Sequence, residues 1–331
     1  MYNVTKKIGA AVVMTACLFT VSNTVSAKNF RLGLLTPANH IWTEAATQFG
    51  KDLEEASGGQ HRVAVFPAAQ LGNEAQMLQQ LQTGALDMAF LTIAEVSNRY
   101  ADMGALYAPY LVSSMEQVGS VLNSPPAQSL LDALPAKAGV VGMAYGTGGL
   151  RQIVSAKPVE TLGDLKGKKL RITPLEPLQD FYRGLGTAPT ALPLSVVYDA
   201  LSNGQVDAID MDLEMIIGLK FYDKAETVVL SNHIMFPVVG VVSARVWAGL
   251  DDSTKQMIKS LMQEQLGKTI TLYAQKEQEW KEQLLATGVT VNEVGPEFFG
   301  ATLEQWDSQW QEKTPVLKQL RDISASFSTS Q

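Results

Sequence analysis

Residues 161–222 read TLGDLKGKKLRITPLEPLQDFYRGLGTAPTALPLSVVYDALSNGQVDAIDMDLEMIIGLKFY. Lys168–Thr173 has the β-type alternation of a short strand and stops at Pro174, which cannot donate to a ladder. A loop is expected over Gly184–Pro189. Val196, Val197, Ala200 and Leu201 then fall at helical spacing, Gly204 ends that helix, and Val206–Met211 reads as the next strand. A strand, a helix and a second strand in this order predict a parallel crossover unit of an α/β fold. Within it, Arg171 lies on a strand, so the backbone would fix its cation in place.

The same grammar continues outward. Phe30–Leu35, Arg62–Phe66, Leu86–Leu91 and Val140–Tyr145 read as strands, and Trp42, Ala45, Ala46, Phe49 and Leu53 follow helical spacing, as do Met77, Leu78 and Leu81. Gly58-Gly59 ends the first helix. Leu81-Gln82-Thr83-Gly84-Ala85-Leu86-Asp87 and Leu201-Ser202-Asn203-Gly204-Gln205-Val206-Asp207 share the pattern L-x-x-G-x-[L/V]-D about 120 residues apart, which favours two related α/β lobes. Later the pattern changes. Ser253 and Gln256 form a candidate capping box before apolar positions at helical spacing that run to Leu284. One helix over 253–286 would be roughly 50 Å long at ~1.5 Å per residue and would lie across both lobes; two helices broken at Gly267 are the alternative. The polar end, Ser324–Gln331, is expected to fray.

The first residues carry Lys6 and Lys7, an apolar run from Ile8 to Val21 and Val25-Ser26-Ala27, the pattern of a cleavable secretory leader over residues 1–27. The run is shorter than the ~20 residues of a membrane span. Cys17, the single cysteine of the chain, lies inside the leader and admits lipid attachment as an alternative. The processed chain then has no disulfide, thiol nucleophile or cysteine metal site. The net charge of −7 becomes about −9 without Lys6 and Lys7, which argues against nucleic-acid binding. A soluble protein is expected. Three histidines, with no G-x-S-x-G elbow and no H-E-x-x-H, argue against an enzyme. No cofactor is expected: Gly146–Gly149 lacks the spacing of a nucleotide loop. No metal is expected, because Asp210, Asp212 and Glu214 lack the spacing of an EF-hand.

Five segments carry a family resemblance: Phe66–Glu74 (FPAAQLGNE), Gln82–Met88 (QTGALDM), Asp164–Arg171 (DLKGKKLR), Val197–Leu201 (VYDAL) and Lys220-Phe221-Tyr222. In this order behind a leader, the chain resembles the periplasmic solute receptors of tripartite ATP-independent periplasmic (TRAP) transporters, the family often named for C4-dicarboxylate binding. The resemblance covers nearly all of the processed chain. It implies a two-lobed periplasmic binding protein fold, α/β in class, with crossing hinge strands and a long helix spanning both lobes. It divides the chain into 28–148 (lobe I, first part), 149–236 (lobe II, first part), 237–275 (lobe I, return) and 276–331 (end of the long helix and C-terminal helices on lobe II). It further implies a monomeric periplasmic receptor that closes on a small organic acid and delivers it to membrane permease subunits. A sensor presenting the ligand to a membrane histidine kinase is the alternative.

Candidate ligand-binding residues follow from chemistry and from this resemblance. Arg171 offers a planar fork for a carboxylate and stands at the family's salt-bridge arginine. Arg151, after an expected turn at Gly146–Gly149, is a second candidate, either for ligand contact or for a supporting role. Glu74 could accept from ligand hydroxyls or favour a helix dipole. Asn39 and His40 lie in the loop after the first strand, and Phe90 and Thr92 end a strand, Phe90 being expected to pack in the core. The family's Gln-Glu-Asn-Pro run is replaced here: its asparagine position is Met211, between Asp210 and Asp212. Carboxylates there would repel a second ligand carboxylate, favouring a monocarboxylate, sugar acid or hydroxy acid over a plain dicarboxylate. His233 and Phe236, before the second crossing segment, complete the set.

Overall fold

The computed structural model describes residues 27–328. The expected leader, apart from Ala27, lies outside the described residues, as does Cys17. Ten strands form the framework: β1 (Lys28–Gly33), β2 (His61–Phe66), β3 (Met88–Thr92), β4 (Val140–Ser155), β5 (Lys169–Ile172), β6 (Ala188–Ala191), β7 (Ala208–Asp212), β8 (Thr227–Leu230), β9 (Met235–Ser243) and β10 (Thr290–Glu293). Their order is β2-β1-β3-β9-β4-β7-β5-β6, with β8 pairing β4 and β10.

The order contains a repeat. β2-β1-β3 and β6-β5-β7 are both parallel triplets with the earliest strand in the middle. Each ends antiparallel to a long crossing strand, β3 against β9 and β7 against β4. The echoed sequence motif builds both. Gly84 and Gly204 take left-handed φ of 81° and 74°, which glycine adopts without steric penalty. The aspartates three residues on then do one job twice: Asp87 accepts the backbone N–H of Arg31 at 2.9 Å, and Asp207 that of Lys169 at 2.8 Å. Each carboxylate thus pins its motif to the central strand of its own triplet.

β4 joins the two halves. Its first part, Val140–Leu150, pairs with β9, while Arg151–Ser155 pairs with β7 and Ile153–Ser155 also with β8. The expected turn at Gly146–Gly149 is instead a register shift within this strand, where Gly149 has φ 78°. β6 also begins inside the segment expected as a loop, at Ala188.

Asp252–Ala286 is one unbroken helix of 35 residues. Its cap is Asp251, whose side chain accepts the N–H of Thr254 at 2.9 Å, rather than Ser253. It lies close on the crossing strands because glycines face it. A Cβ on Gly240 would stand 2.5 Å from Leu266, and one on Gly146 2.7 Å from Thr269. Gln265 reaches Asp52 of the helix Ile41–Ala56 at 2.6 Å, and Lys281 reaches Glu293 of β10 at 2.7 Å. The helix therefore touches both triplets' surroundings. Among the described residues no helix is long and apolar enough to cross a membrane.

Candidate ligand-binding cavity

The parallel strands β1, β3, β5 and β7 end at one cleft, the usual place for a ligand in an open α/β sheet. A cavity of about 530 Å³ lies there, lined by Thr36 beyond β1, Thr92 closing β3, Thr173 beyond β5, and Met211 and Asp212 closing β7. Thr92 and Asp212 stand at equivalent ends of the repeat and each caps the helix that follows, accepting from Glu95 N–H at 3.4 Å and Met215 N–H at 2.9 Å.

Two buried arginines face this space in opposite electrostatic states. Arg151 stands on β4 in register with Asp212, and Ile153 opposite Asp210, so alternation puts both carboxylates beside one guanidinium. Arg151 Nε donates to Asp210 Oδ1 at 2.6 Å, Nη1 to Asp212 Oδ2 at 3.0 Å, and Nη2 to the Asp210 carbonyl at 2.6 Å. Burial alone would lower its pKa; the Asp210 and Asp212 charges raise it instead. Its guanidinium also lies 4.2 Å from the centre of the Phe236 ring.

Arg171 is only 3 % exposed, yet among the described residues no carboxylate lies within ion-pairing distance of it. Nε and Nη2 both donate to the Leu192 carbonyl, at 3.0 and 2.7 Å. Burial, then the neighbouring Arg151 charge, bring its pKa down to about 9, so it remains a cation at neutral pH. The structure thus holds a desolvated positive charge beside an open cavity.

The acidic residues are arranged differently. Asn73 and Gln76 form the capping box of the helix Glu74–Thr83, which frees Glu74 from capping. The Glu74 carboxylate instead accepts the N–H and hydroxyl of Thr92 at 2.6 and 2.8 Å. Burial pushes its pKa up to about 7, against the lowering effect of those bonds. His40 caps the helix Ile41–Ala56 through Nδ1, at 3.1 Å from Trp42 N. Its Nε2 lies 3.2 Å from Glu214, which also accepts from Ile41 N–H and the Tyr273 hydroxyl. Burial holds His40 neutral, with its pKa near 3, and pushes Glu214 up to about 7.

Of the expected site residues, Arg171, Arg151, Glu74, Met211, Asp212, His40, Thr92 and Phe236 line the cavity together. Four do not. Asn39 points outward, because the backbone turns there to present His40 as the cap. Phe90 is fully buried, one pleat behind Thr92 in β3. Asp210 is fully buried and held by Arg151 and Tyr182, whose hydroxyl donates at 2.7 Å. His233 lies behind it, 3.5 Å from Asp210 and stacked on Phe181. Trp42, Tyr198 and Phe221 line the cavity without having been singled out for it. Trp42 sits on the apolar stripe of its helix and so reads as core. Tyr198 and Phe221 fall within the family segments, where an aromatic ring facing a cavity reads no differently from one in the core.

A two-lobed α/β chain with a cleft at the strand ends and a cation aimed into it defines a solute-binding class of protein. The family model for bacterial extracellular solute-binding proteins, family 7, matches residues 32–314, and the chain belongs to that family, the solute receptors of TRAP transporters. The sialic acid-binding periplasmic protein SiaP of Vibrio cholerae is 26% identical over 258 residues, covering 78% of this chain and 80% of the relative. A TRAP periplasmic solute-binding protein from Bradyrhizobium sp. btai1, solved with galacturonate, superposes with a TM-score of 0.83 at 29% identity, covering 89% of this chain and 100% of the other. The fold is also that of a sugar acid-binding protein from Advenella mimigardefordensis, solved with galactonate, with a TM-score of 0.86 at 23% identity over 91% of this chain and 99% of the other. These proteins are receptors and not enzymes.

Proposed function

We propose that this chain is the exported receptor of a TRAP transporter that binds a small organic carboxylate through a salt bridge to Arg171 and delivers it to membrane permease subunits. Residues 1–27 serve as the leader, and the processed chain works as a periplasmic monomer. The lobes divide near residues 148–149 and 236–237 and close on the ligand. The observation that carries this reading is the buried Arg171 beside the cavity, with no carboxylate in ion-pairing distance among the described residues. A charge so placed is costly unless a counter-charge meets it, and the fork geometry of guanidinium matches one carboxylate. Arg151, already bound to two carboxylates, acts as a fixed wall that positions Asp212 and Phe236. Calorimetric titration of a carboxylate that raises the melting temperature tests the assignment. Arg171→Ala is expected to weaken binding by about a hundredfold or more, the ~3 kcal/mol range of a truncated buried charge pair, and Arg171→Lys is expected to recover only part of it. Unchanged affinity in Arg171→Ala would exclude the salt bridge.

A further inference from the structure

Resting on the carboxylate reading above, we infer that the ligand is a monocarboxylic acid with an apolar body, an aryl or branched-alkyl carboxylate, in preference to a polyhydroxylated acid or a dicarboxylate. Most of the free hydroxyl and cationic hydrogen-bonding capacity of the lining is gathered on one side. Arg171 Nη1 makes no hydrogen bond among the described residues, and neither do the hydroxyls of Thr173, Ser195 and Tyr198, all from the β5–β6 side of the cleft. On the opposite side most polar side chains already have partners, Asn73 Nδ2 and one oxygen of Glu95 being the exceptions among the described residues. Glu74 and Thr92 hold each other, Thr36 and Thr43 share a hydrogen bond at 2.9 Å, and the Trp42 indole donates to the Thr147 carbonyl at 2.6 Å. Both ring nitrogens of His40 are engaged.

Between these sides the wall is apolar: Leu35, Leu194, Met211, Met215, Phe221 and Phe236. Trp42 and Phe236 add a stacked pair of rings, 6.5 Å between centroids and 10° apart in plane. Ligand hydroxyls set against this wall would lose their water without finding donors or acceptors, whereas an apolar body loses nothing. A second ligand carboxylate would find no free cation among the lining residues of the far side, where Glu74 and Glu95 stand and Arg151 is already occupied by Asp212. Met211 sits at the centre of this selection. It stands near the end of β7 between Asp210 and Asp212, on the strand face opposite those two carboxylates, and lines the cavity.

The test titrates the processed chain, freed of co-purified ligand, with phenylacetate, 4-methylpentanoate, galacturonate and succinate. Phenylacetate or 4-methylpentanoate is expected to bind at least about tenfold more tightly than the other two, with a negative heat-capacity change. Met211→Asn, which places an amide in the apolar wall, is expected to weaken the apolar acids by about tenfold while leaving galacturonate unchanged or improved. Tighter binding of galacturonate or succinate by the wild-type chain overturns the inference; if Arg171→Ala abolishes that binding, the salt bridge survives and only the apolar body falls. Failure of all four acids to bind, or an Arg171→Ala variant that binds the preferred acid as tightly as wild type, overturns the carboxylate reading and this inference with it.

Discussion

Arg151 and Arg171 are both buried arginines, on the two strands that flank β7 in one sheet, and their substitutions should affect stability differently. Arg151→Met would leave Asp210 and Asp212 desolvated without their cation, and a loss of about 3–5 kcal/mol is expected in urea unfolding of the ligand-free protein. Arg171→Met removes a desolvated charge that no carboxylate pairs with directly among the described residues, so the ligand-free protein should be equally stable or more so. A loss at Arg171 comparable to that at Arg151 would mean that Arg171 has a structural partner. The sequence marked Arg171 through its motif and strand context, and the residue does lie on β5 beside the cavity. It left Arg151 open, since nothing local says that a residue sixty positions on will stand opposite it across an antiparallel ladder. For the same reason Asp210 and Asp212 read as free cleft carboxylates when strand register had already committed them to Arg151.

Helix and strand packing turns on glycines in the same way. Gly267 sits within the long helix with no neighbouring atom within 4 Å of an added Cβ, so Gly267→Ala should stabilise by about 0.5–1 kcal/mol through helix propensity. Gly240 on β9 faces the same helix at contact distance, and Gly240→Ala should destabilise by roughly 1–3 kcal/mol by overpacking against Leu266 and Met262. Denaturant midpoints of the two variants on either side of wild type are the expected result; a destabilised Gly267→Ala would show that the helix needs to bend there. At this scale the sequence was informative where periodicity is strong. The echoed L-x-x-G-x-[L/V]-D motif and the long helix were both readable. The bulge at Gly149 was not, because two glycines beside a polar residue read as a turn while the ladder to β9 carries the strand through. The four-residue strands β6, β8 and β10 are too short for alternation to register, and they exist because neighbours pair with them.

Across the whole molecule, Glu214 ties distant segments together: His40 and Ile41 beyond β1, the helix after β7, and Tyr273 of the long helix. Its folded pKa of about 7 lies above the ordinary carboxylate value, chiefly through burial. The folded state therefore holds the proton to higher pH than the unfolded chain does. This contribution to stability is fully present below about pH 4.5 and is lost as pH rises towards 7, by roughly 3 kcal/mol at most. The difference in unfolding free energy between wild type and Glu214→Gln should fall over that interval, since the other titrating groups are common to both. A flat or rising difference would place the Glu214 proton elsewhere. The salt bridge proposed for Arg171 would have a consequence at this scale too. An empty receptor would then carry an electrostatic burden that a filled one does not, and occupancy would be coupled to cellular lifetime: ligand at a hundred times its dissociation constant adds about 2.7 kcal/mol, enough to lower the fraction open to proteases about a hundredfold. A cell short of this nutrient would degrade its idle receptors first, and the abundance of the protein would track supply without any change in transcription.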